Sequence, residues 1–344
     1  MIKYYNIHGL IRMRIVNATK TFNRLKYFEC DILDVLDIDV IIGPFSVNKK
    51  EFTHTEDDYY VAPNRIYKEY IHKISDMEYY IENLDGDKTT ILFDGEPFFS
   101  VELLIMLILE PLFVYKASKK GATILHASAL SLDSIGCLFT GDTGIGKTSI
   151  LLKLLDNPNA EYLADDQTIV FKNILAYPVP IGFRRHLVDS NDIEVSKKNG
   201  FILDMFKAIN RLFNYYSNLT LRLFPEEIVY KQSKRRVVAG TRATLKKIFI
   251  LKLSSEEPHV EKTNGYAAFP EILAANNSNE DKLKLFSNIF KKYARTDDTE
   301  FWFDYNEEVY NLICRDDIDF YIVYLNKKYD YAETLEEIKR LIRE

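Results

Sequence analysis

Three observations predict an α/β fold. From about residue 122 onward, strand-like and helix-like segments alternate. Within that part, Gly141-Asp142-Thr143-Gly144-Ile145-Gly146-Lys147-Thr148 separates a short apolar run from a helix with apolar periodicity. The first hundred residues differ, mixing short β-like runs with turn signals, so a mainly β region is expected ahead of the α/β part. The expected division is 1–118 as an N-terminal α+β region and 119–344 as the domain that contains the glycine-rich octapeptide.

Taken in order, Asp39–Ile42 and Thr89–Phe93 read as strands, and Asp85-Gly86 and Asp94-Gly95 as turns. Val101–Tyr115 is the longest apolar run, but Glu102, Glu110 and Pro111 interrupt it. A membrane-spanning helix needs about 20 mostly apolar residues, so this run is expected to be a buried helix. Lys119-Lys120-Gly121 leads into the central part. There, Ala122–Ala129 and Gly136–Thr140 read as strands, and Lys147–Leu155 as a helix stopped by Asn157-Pro158. Tyr162–Ala164 and Thr168–Phe171 read as short strands flanking Asp165-Asp166. Beyond them, Phe201–Phe213 looks helical, Lys231–Arg236 is a charge-dense loop, and 272–298 looks like helices with polar faces. Ile248–Leu253 and Phe320–Leu325, rich in Ile, Phe and Tyr, read as strands. The last segment opens with Thr334 and Glu337 at capping-box spacing, and its Leu335, Ile338, Leu341 and Ile342 share one helical face.

With 344 residues, 47% hydrophobic and 28% charged, the chain can bury a substantial core. A net charge of −6 argues against a nucleic-acid-binding surface over the whole protein. Cys30, Cys137 and Cys314 form no CxxC pair, so neither a disulfide framework nor a zinc site is indicated. Cys137 reads as a small buried hydrophobe. The first residues lack the apolar centre and cleavage site of a signal peptide, and a cytoplasmic protein without a membrane segment is expected.

Gly141–Thr148 fulfils G-x-x-x-x-G-K-[ST] completely, between the apolar strand Cys137–Thr140 and a helix carrying Ile150, Leu151, Leu154 and Leu155. Glycines admit positive φ and let backbone N–H groups curl around an anion without Cβ obstruction. Lys147 would reach the β and γ phosphates of a nucleotide, and the Thr148 hydroxyl would bind Mg²⁺. The helix that begins here, with Ser149 in its first turn, points its partly positive end at the phosphates. The expected ligands are therefore ATP or GTP with Mg²⁺, held by Gly141, Asp142, Thr143, Gly144, Ile145, Gly146, Lys147, Thr148 and Ser149.

Asp165 and Asp166 follow an apolar stretch, where phosphate-binding proteins hold Mg²⁺ directly or through water. Adjacent strand residues face opposite sides, so the pair can divide the work, one accepting a proton and the other supporting the metal. An acidic turn after a strand is the plain alternative. His126, inside Ile124–Ser128, reads by itself as a hydrogen-bonded core residue. The other five histidines show no ligand spacing.

From Leu125 to Val170 the chain resembles the HPr kinase/phosphorylase family of bacterial serine kinases. His126, the Gly141–Thr148 loop and Tyr162-Leu163-Ala164-Asp165-Asp166 stand in that family's order and at similar spacing. The resemblance implies a P-loop kinase core of that type. It implies Asp165 as the base that deprotonates a hydroxyl acceptor, Asp166 as metal support beside Thr148, Lys147 on the phosphates and His126 in the active site. The acceptor it implies is a serine of a protein or peptide, or a small molecule; homo-oligomerisation stays open. The family's Glu-Ile-Arg-Gly-type signature is absent, and the region reads Gly182-Phe183-Arg184-Arg185-His186-Leu187-Val188-Asp189. Asp189 or Glu194 could replace a metal-supporting carboxylate, and Arg184, Arg185 and Arg242 are candidates for charge stabilisation. The alternative is a protein that binds or hydrolyses a nucleotide as a switch, without transfer.

Overall fold

The computed structural model describes residues 1–19, 28–55, 58–72, 75–96, 99–165, 167–175, 238–276, 307–312, 315–326 and 332–344, together with Phe22 and Leu25. The described part is mixed α/β, dominated by sheet, and its N-terminal region is mostly β. That region forms a nine-stranded sheet from β1 (Ile2–Ile7), β2 (Ile11–Val16), β3 (Glu29–Cys30), β4 (Ile38–Ile42), β5 (Thr53–His54), β6 (Tyr60–Ala62), β7 (Arg65–His72), β8 (Ser75–Glu82) and β9 (Thr89–Gly95). The order is β3-β1-β2-β4-β9-β8-β7-β6-β5, with parallel pairing only at β2–β4–β9. Alternation sets the faces: Ile11, Met13 and Ile15 of β2 are buried, while Arg12 and Arg14 between them pair with Asp37 and Asp39.

The expected turn at Asp94-Gly95 is instead the end of β9, paired with Glu78 and Met77 of the long β8. Glycine is needed there for another reason: a Cβ on Gly95 would stand 2.7 Å from the Ser100 Cβ, where the first helix crosses the strand. That helix, α1 (Phe99–Leu104), passes through a π-helical turn at Ile105–Leu109 into α2 (Glu110–Ser118). Pro111 has no N–H to donate, and the wider turn just before it absorbs the misfit. The apolar run is thus a buried helix, as expected, and among the described residues no helix is long and apolar enough to cross a membrane.

The last turn of α2 grips the N-terminal sheet. Lys116 Nζ donates to the Gly86 carbonyl at 2.5 Å, and Tyr115 and Lys119 both reach Asp85. Just beyond the helix, Lys120 donates to the Leu10 carbonyl (2.5 Å) and to Asp37 (2.7 Å).

The second sheet contains β10 (Thr123–Leu125), β11 (Ala127–Leu132), β12 (Ile135–Thr140), β13 (Ala160–Ala164), β14 (Thr168–Phe171), β15 (Asn173–Leu175), β16 (Val238–Ala239), β17 (Arg242–Leu253), β18 (His259–Thr263) and β19 (Asp319–Leu325). At its centre β17 runs parallel to β12 on one side and to β19 on the other. Antiparallel strands extend both flanks, β11 and β13 beyond β12 and β18 beyond β19. The ladder β10–β14–β15 joins β17 at Arg242 and Ala243. The expected single strand over Ala122–Ala129 is therefore two, because His126 bends the chain between ladders with different partners.

Both faces of this sheet are covered. Phe139, Phe249 and Tyr321 stack with ring centroids 5.1 and 5.2 Å apart, beneath α3 (Lys147–Leu154) and the terminal helix Ala332–Arg343. The opposite face, with Leu138, Ile248 and Phe320, packs on α2 and on Ala268 and Ile272 of the helical residues 265–276. That apolar cluster is continuous with the N-terminal sheet and crosses the 118/119 boundary. The terminal helix buries Leu335, Ile338, Leu341 and Ile342 as expected. It begins before Thr334, however, so Thr334 lies buried in the first turn instead of capping it. Phe201–Phe213, Lys231–Arg236 and most of 272–298 lie outside the described residues.

Candidate functional site

The octapeptide follows β12 at the carboxyl end of the parallel strands and leads into α3. Gly141, Gly144 and Gly146 have φ of 144°, 81° and 118°, values that L side chains resist. Gly141 is also sterically required, since a Cβ would stand 2.6 Å from the Leu251 carbonyl of the neighbouring strand. Ile145 fixes the loop from within by joining the apolar cluster under α3, while Asp142, Thr143 and Gly144 are exposed above it. Gly146 is the N-cap of α3 and supplies no side-chain cap, and Ser149 is half-buried in the first turn.

Lys147 turns back over the loop, donating from Nζ to the carbonyls of Gly141 (2.6 Å) and Asp142 (3.0 Å). One residue on, the Thr148 hydroxyl donates to Asp165, with Oδ1 at 3.1 Å and Oδ2 at 3.2 Å. Asp165 lies directly after β13 and is only 6% exposed. A second hydroxyl holds it, that of Ser128 on β11, whose Oγ is 2.6 Å from Oδ1. Burial of a carboxylate is tolerated where such donors replace water.

His126, 5% exposed, occupies the bend before β11. Its N–H donates to Asn276 Oδ1 (2.8 Å), and its carbonyl accepts from the Thr140 hydroxyl (3.2 Å). Side chains thus satisfy the peptide groups that the break in the strand removes from a ladder.

The structure joins Thr148 to Asp165 and folds Lys147 back over the loop, while His126 is tied through its backbone carbonyl to Thr140, the residue just before the loop. Arg242 is not part of this group: it opens β17, so it stands at the opposite end of the parallel strands from the loop. Asp166, Arg184, Arg185, Asp189 and Glu194 lie outside the described residues. Sequence reasoning missed Ser128, Thr140 and Asn276; a hydroxyl amid the buried alanines and leucine of β11 was the available signal for Ser128.

The Thr148 hydroxyl and the Asp165 carboxylate are hard oxygen donors, suited to Mg²⁺. Among the described residues no three His, Cys, Asp or Glu side chains cluster as a metal cage. The sequence matches no protein-family model and no curated protein.

Proposed function

We propose that the protein is a Mg-dependent P-loop kinase of the HPr kinase type, moving the γ-phosphoryl group of ATP or GTP to a hydroxyl. The acceptor is a serine of a protein or peptide, or a small molecule. One observation carries this reading: the Thr148 hydroxyl meets the buried Asp165 carboxylate at the base of a loop whose three glycines take positive φ. A metal ligand, a carboxylate and an anion cradle then share one corner, which is the set that phosphoryl transfer uses.

Bound Mg²⁺ would neutralise charge across the β and γ phosphates. In this reading the loop N–H groups and the start of α3 hold the phosphates, and Lys147 exchanges its loop carbonyls for phosphate oxygens. Thr148 and Asp166 support the metal, Asp165 takes the proton of the acceptor, and His126 stands beside the transferred group. The absence of paired cysteine motifs suits a cytoplasmic setting.

The test is incubation with γ-labelled ATP and a cell extract or candidate peptides, followed by identification of the labelled species. Lys147→Ala is expected to weaken Mg·ATP binding roughly tenfold or more, since charge-assisted contacts carry that much. Unchanged affinity in this variant sinks the loop assignment. A nucleotide-driven switch is the second reading, favoured by one feature: both oxygens of Asp165 accept hydrogen bonds from the chain itself. Release of free phosphate with no labelled acceptor is the outcome that selects it.

A further inference from the structure

Antiparallel β11 and β13 do not keep one register. Leu130 stands opposite Tyr162, but Ala129 stands opposite Ala164, with the irregularity between Ala129 and Leu130. A slip of one residue moves every later side chain to the other face. Continued without the slip, the ladder would set Ser128 against Ala164; with it, Ser128 comes level with Asp165. The bulge is thus what brings the two side chains together, and the Ser128 Oγ to Asp165 Oδ1 distance of 2.6 Å is that of a charge-assisted hydrogen bond. Ser128 is fully buried between Ala127 and Ala129, where a hydroxyl without such a partner would be costly.

The two hydroxyls on Asp165 differ in what holds them. Thr148 belongs to the phosphate loop and helix α3, and it is the residue a metal would recruit. Ser128 belongs to β11, an interior strand of the sheet paired on both sides, where Phe139 and Leu138 of the adjoining β12 are fully buried. We propose that Ser128 is a positioning residue for Asp165, fixing the carboxylate from the rigid sheet side so that its orientation persists when Thr148 turns to a ligand. The role in transfer rests on the kinase reading above; the hold on the carboxylate does not.

Two measurements separate these. The first compares crystal structures of the wild type and Ser128→Ala without nucleotide. Asp165 is expected to leave its Thr148 contact or to adopt more than one orientation in the variant; an unmoved carboxylate overturns the proposal. The second follows turnover of γ-labelled ATP in a four-way set of wild type, Ser128→Ala, Asp165→Asn and the double variant. Ser128→Ala is expected to lower kcat roughly ten- to a hundredfold with KM for Mg·ATP little changed, the range for a hydrogen bond to a charged group. In the Asp165→Asn background the same substitution should have no further effect, because Ser128 acts only through that carboxylate. Independent, multiplying losses overturn it. Ser128→Cys keeps the volume with a weaker donor, should fall between, and serves if the alanine variant folds poorly. If the wild type transfers no label, the kinase reading falls while the first comparison still decides what Ser128 does.

Discussion

At the scale of single residues, the part of the site legible in the sequence is the part whose geometry is local. The turn from β12 into α3 lies within eight consecutive residues, so its positive-φ glycines and the position of Lys147 and Thr148 at the start of the helix are expected without a fold, as is the position of Asp165 just after a short apolar strand. Ser128 and Asn276 are not. The first reaches Asp165 only through a one-residue slip between β11 and β13, and the second meets His126 across 150 residues of sequence. Gly141 gives the sharpest residue-scale prediction. Its φ of 144° and the 2.6 Å approach of the Leu251 carbonyl leave no room for a Cβ, so Gly141→Ala is expected to destabilise the fold by about 1–3 kcal/mol and to displace the loop. Chemical denaturation of both proteins measures it; equal midpoints would show that the strand can yield at that point.

Among the elements, the two apolar helices and the short strands β12, β13 and β14 lie where the sequence places them, whereas the break in the strand through His126 depends on pairing that composition does not record. The helix over the longest apolar run and the terminal amphipathic helix stand where run length, in the first case, and periodicity, in the second, place them. The strand through His126 was read as continuous because nothing in its composition records that β10 pairs with β14 while β11 pairs with β12. The grip of α2 on the N-terminal sheet was equally invisible, yet it has a measurable consequence. Burial, and then the charge of Lys119, lower the pKa of Lys116 to about 8, against an ordinary value of 10.5. The unfolded chain therefore keeps this proton through a window in which the folded protein has released it. Stability is predicted to rise with pH from about 8 towards 10.5, by up to about 1.4 kcal/mol per pH unit from this group, and to gain nothing from it below that window. In Lys116→Met the rise should flatten. Urea midpoints across pH 7.5 to 10.5 (a range chosen about that window) check this, and parallel curves for the two proteins would contradict it.

For the whole molecule, composition indicated one substantial core and the alternation of segments indicated α/β, but the continuity of the core was not readable. One apolar cluster includes Tyr5, Ile15 and Phe93 of the first sheet, Leu112 and Ala117 of α2, and Leu138 and Ile248 of the second. A fragment of residues 119–344 would present the α2-facing side of its sheet to water, so it is expected to lack a cooperative thermal transition and the near-ultraviolet signature of packed aromatics. A fragment that melts as sharply as the full chain would show the two regions to be independent. The parallel pairing of β12 with β17 and of β17 with β19 also imposes an order on synthesis. The wall behind the glycine loop is supplied by Leu251, and the side of Gly146 is met by Leu325, both far downstream of the loop in sequence. A ribosome-bound nascent chain that has already released the octapeptide still lacks both supports, so this corner takes its final shape only after β17 and β19 have emerged.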